Sequence, residues 1–295
     1  MRLQRGRPRM NFLRRYARSR LALLAAVVLA LLLLGAVFAP WIAPQNPYAL
    51  DQLDILDARL PPGEAASDGH LVYRLGSDEQ GRDMLSAMLY GLRISLGVGF
   101  VATAIALLVG GAIGIVAGQA GGRVEALLMR LADIQLSFPA ILVALVLIAV
   151  LRPGVQNVVI ALVASQWAYH ARTARSAALV ERGKDYVTAA RAFGVAPWRI
   201  ALRHLLPNCL PPLVVVAALQ VANAIALEAT LSFLGLGVPV TEPSLGMLIA
   251  NGQQYLLSGK YWISLYPGLL LLVTIVAVNL VADRVRELLD PRGRR

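Results

Sequence analysis

The sequence predicts an all-α integral membrane protein with six transmembrane helices, and three observations lead to that fold class. The chain of 295 residues is 58% hydrophobic and only 15% charged, with a mean hydropathy of +0.64. In a soluble protein, roughly a quarter of the residues are charged. The apolar residues also gather in six long runs, and the basic residues alternate between the loops that join them. Together these features indicate a chain that lies in a lipid bilayer.

Six apolar runs are candidates for helices that cross the ~30 Å hydrocarbon core of a bilayer. In chain order they cover residues 21–39, 94–118, 131–151, 155–169, 213–236 and 262–282. The first run is longer than the ~7–15 apolar residues of a cleaved signal peptide, and Pro40 stands where cleavage would occur. We therefore expect a retained first helix. The fourth run is short, and Asp133 and Pro139 interrupt the third.

The basic residues orient the chain. If it crosses the membrane six times, 22 of the 28 lysines and arginines lie on the side that holds both termini, and six lie on the other side. The positive-inside rule then puts both termini in the cytoplasm. This topology explains the net charge of +11, so nucleic-acid binding is not expected.

The same pattern divides the chain into parts. They are a basic cytoplasmic N-terminus (1–20), the first transmembrane helix (21–39), an extracytoplasmic segment (40–90), a five-helix core (91–283) and a cytoplasmic tail (284–295). Within the core, residues 182–212 form a basic, amphipathic cytoplasmic loop, which we call the loop segment.

The loop segment carries signals for two short helices joined at a glycine. Residues 184–193 form the first helix, and Gly194 ends it because glycine most easily adopts a left-handed cap. Pro197 suits the first turn of the second helix, residues 197–206. Three prolines are expected to break that helix: Pro207, Pro211 and Pro212. Two interpretations stay open: a surface that docks on another protein, or an ordinary loop on the membrane surface.

Three glycines in the second apolar run indicate close helix packing. Gly110, Gly114 and Gly118 recur every fourth residue and therefore share one face of a helix. Such a face lets a neighbouring helix approach closely. We interpret it as a packing face and not as a binding site.

Several kinds of active site are missing from the sequence. The pairs Gly183-Lys184 and Gly259-Lys260 lack the upstream glycine and the following Ser or Thr of a P-loop, so no usual ATP site is expected. There is no HExxH motif and no Cys/His cluster for a metal ion. The three histidines fall in different segments, which argues against a serine-hydrolase arrangement. They are His70, His170 and His204.

Two acidic residues lie within the apolar runs. Asp133 is near a helix end, close to headgroup water, whereas Glu228 is deeper. A charge at the centre of a membrane costs about 2.5–3.5 kcal/mol, so Glu228 should face protein or a water-filled path, with Arg93 as a candidate partner. Ser232 shares its helix face, and Asn223 lies about 140° away around the helix. Asn223, Glu228 and Ser232 are thus candidates for a translocation path; a purely structural buried pair is the alternative.

The loop segment resembles the EAA loop of ATP-binding-cassette (ABC) importer permeases, E-A-A-x3-G-x9-I-x-L-P. The chain has Thr188-Ala189-Ala190, then Gly194, then His204-Leu205-Leu206-Pro207 at the same spacing. Thr188 replaces the usual Glu, and His204 stands at the Ile position. Further matches point to the dipeptide/oligopeptide/nickel group, and to its C-type subunits in particular. They are LGSDEQGRDMLS (75–86), LYGLRISL (89–96), LEATLSFLGLG (227–237), PSLG (243–246) and the ELLDPR ending.

The resemblance implies the type I permease fold of ABC importers in a bacterial inner membrane. It implies a heterodimer with a second permease subunit, two ATPase subunits that dock on the EAA loop, and an extracytoplasmic solute-binding protein that delivers peptide. ATP and Mg would belong to the ATPase subunits, so this chain would hold no cofactor and would not be an enzyme. The docking residues would be Thr188, Ala189, Ala190, Gly194, His204, Leu206 and Pro207.

Other functions stay open on the sequence alone. The same architecture imports nickel or another small solute in some members of this group. A secondary carrier driven by an ion gradient would need no ATPase, but one acidic residue is little support for it, because proton-coupled carriers use relays of several such groups. A membrane scaffold that transports nothing is the third class.

Overall fold

The computed structural model describes residues 15–49, 53–69, 71–239 and 241–289 of the chain. The residues before position 15, His70 and the end of the ELLDPR motif lie outside this description. The described residues are mainly helical. In chain order the α-helices are α1 (Arg20–Val37), α2 (Ala39–Ile42), α3 (Met84–Ala120), α4 (Gly122–Ser137), α5 (Ala140–Leu151), α6 (Val155–Arg182), α7 (Asp185–Ala192), α8 (Pro197–Ile200), α9 (Leu206–Phe233), α10 (Leu245–Gln253) and α11 (Trp262–Leu289).

Long apolar helices confirm the all-α membrane fold. Within the described residues, four helices are long and apolar enough to cross a membrane: α1, α3, α11 and the continuous helix Pro197–Phe233, which contains α8 and α9. The pair α4 and α5 adds a fifth span if it counts as one broken crossing. The remaining long helix, α6, is less apolar because its second half carries charged residues and its buried face carries Gln166 and His170. The charged residues are Arg172, Arg175, Glu181 and Arg182. A count of six is consistent with these helices.

The bundle is centred on the contact between α3 and α6, and glycines make that contact close. A Cβ atom on Gly110 would lie 2.2 Å from the Trp167 carbonyl oxygen, and one on Gly114 would lie 2.2 Å from the Ala171 carbonyl oxygen. Real side chains do not fit at such distances. The predicted glycine packing face is therefore confirmed, and α6 is the helix that packs on it.

The predicted third span was wrong in its local structure. The first part of residues 131–151 belongs to α4, a helix that begins earlier, at Gly122. The pair α4 and α5 then bends by 90° at a short break. Phe138 is extended there, with φ −96° and ψ 139°, because the ring of Pro139 disfavours a helical residue before it.

The prediction that prolines break the second helix of the loop segment was also wrong. The chain stays helical from Pro197 to Phe233, past all three prolines. Pro207 lies inside this continuous helix, at the second residue of α9. A π-helical turn, Ala201–Leu205, immediately precedes it. That wider turn relieves the clash that a proline ring makes with the preceding turn of a helix.

A small cap covers the end of the bundle opposite to the loop segment. It contains a 3₁₀ turn (Ile55–Asp57) and an antiparallel pair of strands, β1 (Glu64–Ala65) and β2 (Val72–Tyr73). The Trp262 indole Nε1 donates a 3.1 Å hydrogen bond to the Ser77 carbonyl oxygen and so ties the cap to α11. The α3 helix begins here at Met84, before the predicted core boundary of residue 91.

Candidate functional site

The glycine of the loop segment ends α7 in a Schellman motif. Gly194 has a left-handed φ of +73°. Its N–H group donates to the Arg191 carbonyl oxygen at 3.0 Å, and the Val195 N–H group donates to the Ala190 carbonyl oxygen at 3.1 Å. No atom lies within 4 Å of a Cβ built on Gly194. The backbone conformation, and not lack of space, is therefore what requires glycine here.

The predicted docking residues differ in their exposure. Thr188, Ala189, Gly194 and Pro207 are exposed, whereas His204 and Leu206 are half-buried. Ala190 is only 9% exposed and belongs to an apolar cluster beneath the loop segment. The expectation that Ala190 offers a small contact surface to a partner is thus not supported by its position. Ala190 instead helps to fix the shape of the loop segment from inside.

Two aromatic side chains that were not among the predicted docking residues stand on the surface of the loop segment. Phe193 is 87% exposed and Trp198 is 61% exposed. They flank the Gly194 turn, and the guanidinium group of Arg199 lies 5.1 Å from the Trp198 ring. The sequence carries one signal for this exposure. Both aromatic residues lie beside a glycine that ends a helix, and helices this short are not buried on both faces.

A polar network ties α7 to its neighbours. The Glu181 carboxylate accepts hydrogen bonds from Lys184 Nζ at 2.5 Å and from the Tyr186 hydroxyl group at 2.6 Å. The Asn208 amide donates to the Tyr186 hydroxyl group at 3.1 Å and to the His204 carbonyl oxygen at 2.7 Å. The Tyr186 and His204 rings stack with centroids 6.1 Å apart. The end of α6, α7 and the start of α9 are thereby linked.

The network changes the acidity of two of its members. The hydrogen bond to Glu181 is the main reason that the pKa of Tyr186 rises to about 12. Burial alone would raise the pKa of Glu181, but the hydrogen bonds from Lys184 and Tyr186 outweigh burial and lower that pKa. Glu181 is therefore ionised and Tyr186 protonated near neutral pH, as the hydrogen bonds require.

Further contacts attach the loop segment to the end of α3. Arg182 donates to the Gly118 carbonyl oxygen at 3.0 Å, where a cation also complements the helix C-terminus. The Gln119 amide donates to the Pro197 carbonyl oxygen at 2.6 Å. The loop segment is thus attached by hydrogen bonds to α3 as well as to α9.

Glu228 lies near the opposite end of the bundle and is completely buried, with 0% exposure. Its two carboxyl oxygens accept 2.7 Å hydrogen bonds from Ser95 on α3 and from Ser232 on α9. The side chain of Ser244 adds a third hydrogen bond. The predicted partner Arg93 is exposed and forms no ion pair with Glu228 among the described residues. Hydroxyl groups satisfy the carboxyl group instead.

The recognised motifs around Glu228 build this buried cluster. A Cβ on Gly237 would lie 2.2 Å from Ser232 Oγ, and one on Gly246 would lie 2.2 Å from the Ala229 carbonyl oxygen. The glycines of the LGLG and PSLG motifs thus let the chain between α9 and α10 fold closely over Glu228. Asn223, the third candidate of the translocation path, is not part of this cluster: it is exposed and donates to Gln220 Oε1 at 2.7 Å.

Comparison with known proteins identifies the family. Residues 110–295 match the family described as binding-protein-dependent transport system inner membrane component. Residues 8–62 match the N-terminal TM domain of oligopeptide transport permease C.

Curated relatives cover nearly the whole chain. The probable D,D-dipeptide transport system permease protein DdpC of Escherichia coli (strain K12) is 40% identical over 93% of this chain and 89% of its own length. The di/tripeptide transport system permease protein DppC of Pseudomonas aeruginosa (strain UCBPP-PA14) is 37% identical over 97% of this chain and 92% of its own. The dipeptide transport system permease protein DppC of Escherichia coli (strain K12) is 38% identical over 97% of this chain and 93% of its own length.

A solved structure supports the fold. A chain of the MetNI methionine ABC transporter in an inward-facing conformation aligns with a TM-score of 0.57 at 21% identity. The alignment covers 70% of this chain and 98% of that chain. At this identity the likeness concerns the fold alone, which is that of a type I ABC importer permease.

Proposed function

Because the chain belongs to the family of binding-protein-dependent transport system inner membrane components, we propose that it carries di- and oligopeptides through a bacterial inner membrane. It is a permease subunit of an ABC importer and not an enzyme. The peptide cargo is supported by relatives that are named for D,D-dipeptides, di/tripeptides and dipeptides. Nickel or another small solute is the alternative cargo, and no relative reported above is named for it.

We propose that the importer contains four further subunits around this chain. A second, related permease subunit completes the membrane part, and an extracytoplasmic solute-binding protein delivers the peptide. Two ATPase subunits hold ATP and Mg on the cytoplasmic side, which is also the side of the loop segment and of both termini. The 22 to 6 division of basic residues supports this orientation. Lipid surrounds the apolar outer faces of the helices.

The exposed aromatic surface of the loop segment is the observation that carries the ATPase contact. Phe193 and Trp198 would be poorly placed in water, so an apolar groove on a partner gives them a site to bury. Thr188, Ala189 and Gly194 lie on the exposed side with them. His204, Leu206 and Pro207 lie at the base, where the loop segment continues into α9.

The mechanism is mechanical coupling. When ATP closes the two ATPase subunits, the docked loop segment moves with them. Arg182 and Gln119 pass that movement to α3, and Tyr186 and Asn208 pass it to α9. The helices then exchange between inward-open and outward-open arrangements. Such coupling requires that the docked ATPase bind the two arrangements with different free energies.

Substitution of Gly194 tests the role of the loop segment. A Gly194→Glu variant forces a side chain into the left-handed region at a cost of roughly 1–2 kcal/mol, without a clash inside the chain. We expect the variant to reach the membrane and to lose ATP-driven peptide uptake in reconstituted vesicles. Gly194→Asn is the matched control, because asparagine tolerates this conformation, and it should retain most uptake.

Two results would overturn the proposal. Unchanged uptake by Gly194→Glu would remove the loop segment from the mechanism. Uptake by the permease without ATPase subunits, abolished by an uncoupler at constant ATP, would indicate a secondary carrier. Purification of the intact complex gives an independent check, since two nucleotide-binding subunits and a second permease should co-purify with this chain.

The translocation path is proposed to pass Asn223 and not Glu228 or Ser232. Both carboxyl oxygens of Glu228 are bonded to buried hydroxyl groups, and Ser232 is one of the donors. Glu228 is also completely buried, so it presents no surface to a peptide in the path. The Asn223 side chain is exposed and keeps unused hydrogen-bonding positions.

A further inference from the structure

Polar side chains from three helices meet halfway along the bundle and lead out to its surface. Thr103 on α3 donates to Gln166 Oε1 on α6 at 3.4 Å. The Gln166 amide donates to the Gln220 carbonyl oxygen on α9 at 3.4 Å, and Asn223 donates to Gln220 Oε1 at 2.7 Å. The first three are buried, whereas Asn223 is exposed.

The exposed faces of α1 and α11 differ from that of α9 in polarity. On α1 after Arg20, and on the part of α11 between Ser264 and Ala282, every exposed residue is apolar, as a lipid-facing surface requires. Beyond Pro212, the exposed face of α9 carries two polar residues, Asn223 and Thr230. An uncharged amide in hydrocarbon loses the hydrogen bonds that water gives it. This face of α9 is therefore turned to water or to protein and not to lipid.

The Asn223 side chain is held in place by a hydrogen bond and still has unused hydrogen-bonding positions. An asparagine amide can donate two hydrogen bonds and accept two. Among the described residues, the side chain of Asn223 makes one hydrogen bond, to Gln220, and Gln166 in turn donates to the Gln220 backbone. The carbonyl oxygen and the second N–H group of the Asn223 amide are thus oriented in advance and free for a ligand.

We infer that Asn223 is a contact for the peptide bonds of the cargo, on the wall of a water-filled path at mid-membrane. This inference rests on the proposed peptide import. An amide offers a donor and an acceptor side by side, which match the C=O and N–H groups of any peptide, whatever its side chains. Being uncharged, it binds weakly enough to release the cargo, as a transport path requires.

Thr230 extends this contact along the same face of α9. It lies seven residues from Asn223, which is two helical turns or about 10 Å along the axis. An extended peptide covers that distance with about three residues. A tripeptide in the path would therefore reach from one polar residue to the other, whereas a dipeptide would contact them in turn.

Water access tests the inference in the complete importer. The Asn223→Cys variant is assembled with its ATPase subunits, second permease and binding protein in proteoliposomes, and treated with a charged thiosulfonate reagent during ATP hydrolysis. We expect labelling at Asn223→Cys and protection by excess dialanine. Leu272→Cys, on the apolar face of α11, should not be labelled. The natural Cys209 is buried and should contribute no background.

Two labelling results would overturn the inference. Absence of labelling at Asn223→Cys, as at Leu272→Cys, would mean that lipid or protein covers this face. Labelling without protection by the peptide would mean that water reaches Asn223 but the cargo does not contact it.

A second variant separates a cargo contact from a contact between subunits. Asn223→Leu should reduce peptide uptake about tenfold, the effect of one lost hydrogen bond, while the amounts of co-purified second permease and ATPase subunits stay unchanged. Loss of the second permease, or unchanged uptake, would contradict the inference. If peptide were not the cargo, the unmodified importer itself would take up no dialanine. That result would show that the proposed function is wrong, and it differs from every result that would show only that the role of Asn223 is wrong.

Discussion

The two ends of the Pro197–Phe233 helix use polar groups in opposite ways. At the loop-segment end, Glu181, Tyr186 and Asn208 form a network at the surface, with the exposed Phe193 and Trp198 beside it. At the other end, Glu228 and its serine partners are wholly buried. The first network holds a surface in position while leaving it open to a partner. The second fixes helix to helix and offers nothing to a partner.

This difference has an energetic consequence. A buried group that loses its partner keeps its desolvation cost, whereas an exposed group finds water instead. Changes at the Glu228 end should therefore reduce folded protein, and changes at the loop-segment end should reduce coupling while the protein still folds. Each substitution below tests one side of that contrast.

The largest effect is expected from Glu228→Leu. It leaves the Ser95 and Ser232 hydroxyl groups buried without their acceptor, at a cost of about 1–3 kcal/mol for each. We expect a marked fall in the yield and in the thermal unfolding temperature of the detergent-solubilised protein. Glu228→Gln keeps an acceptor oxygen and should cause a much smaller fall, with peptide uptake retained. Equal yields of wild type and Glu228→Leu would show that the cluster is not structural.

A smaller effect is expected from Tyr186→Phe. The variant loses the hydrogen bonds to Glu181 and from Asn208 but keeps the ring that stacks on His204. At about 0.5–1.5 kcal/mol for a hydrogen bond, the peptide imported per ATP hydrolysed should fall a few-fold at normal protein levels. Tyr169→Phe, on the exposed face of α6, is the control and should change nothing. A loss of folded protein in Tyr186→Phe would contradict the contrast between the two ends.

The smallest effect is expected from Thr188→Glu, which restores the usual first residue of the EAA pattern. Thr188 is exposed on α7, and a glutamate there adds an i,i+3 pair with Arg191 worth about 0.2–0.5 kcal/mol. Protein yield should not change, and ATPase binding should change by no more than about twofold. A larger change in binding would mean that the side chain at position 188 contributes strongly to the ATPase contact, in contrast to the minor contribution expected here.

Much of this architecture could be predicted because it follows from local chemistry. Apolar runs, a four-residue glycine period and the left-handed cap at Gly194 each leave a signal in the sequence, and these signals agree with the structure. Pro207 misled the prediction because a proline breaks a helix only where its ring clashes, and the π turn before Pro207 relieves that clash. Pro211 and Pro212 lie inside α9, and the described residues show no corresponding feature that explains why the helix continues through them.

The tertiary contacts of the site could not be predicted from the sequence. Ser95 and Glu228 are 133 positions apart, so nothing local indicates that a hydroxyl group, and not Arg93, satisfies the carboxyl group. Likewise Ala190 matches the family pattern equally well whether it faces inward or outward. Its burial depends on Ile200, Leu205 and Cys209, which only the folded chain brings beneath it.

Co-purification of the ATPase subunits tests the central claim most directly. Phe193 and Trp198 are replaced together by alanine, and the ATPase recovered with the affinity-purified permease is measured. The control is Leu257→Ala, which removes a fully exposed leucine, at 103% exposure, from the opposite end of the bundle. We predict that the double variant is folded but recovers little ATPase, and that Leu257→Ala recovers as much as wild type. Equal ATPase recovery with all three proteins would contradict the assignment of the loop segment as the docking surface.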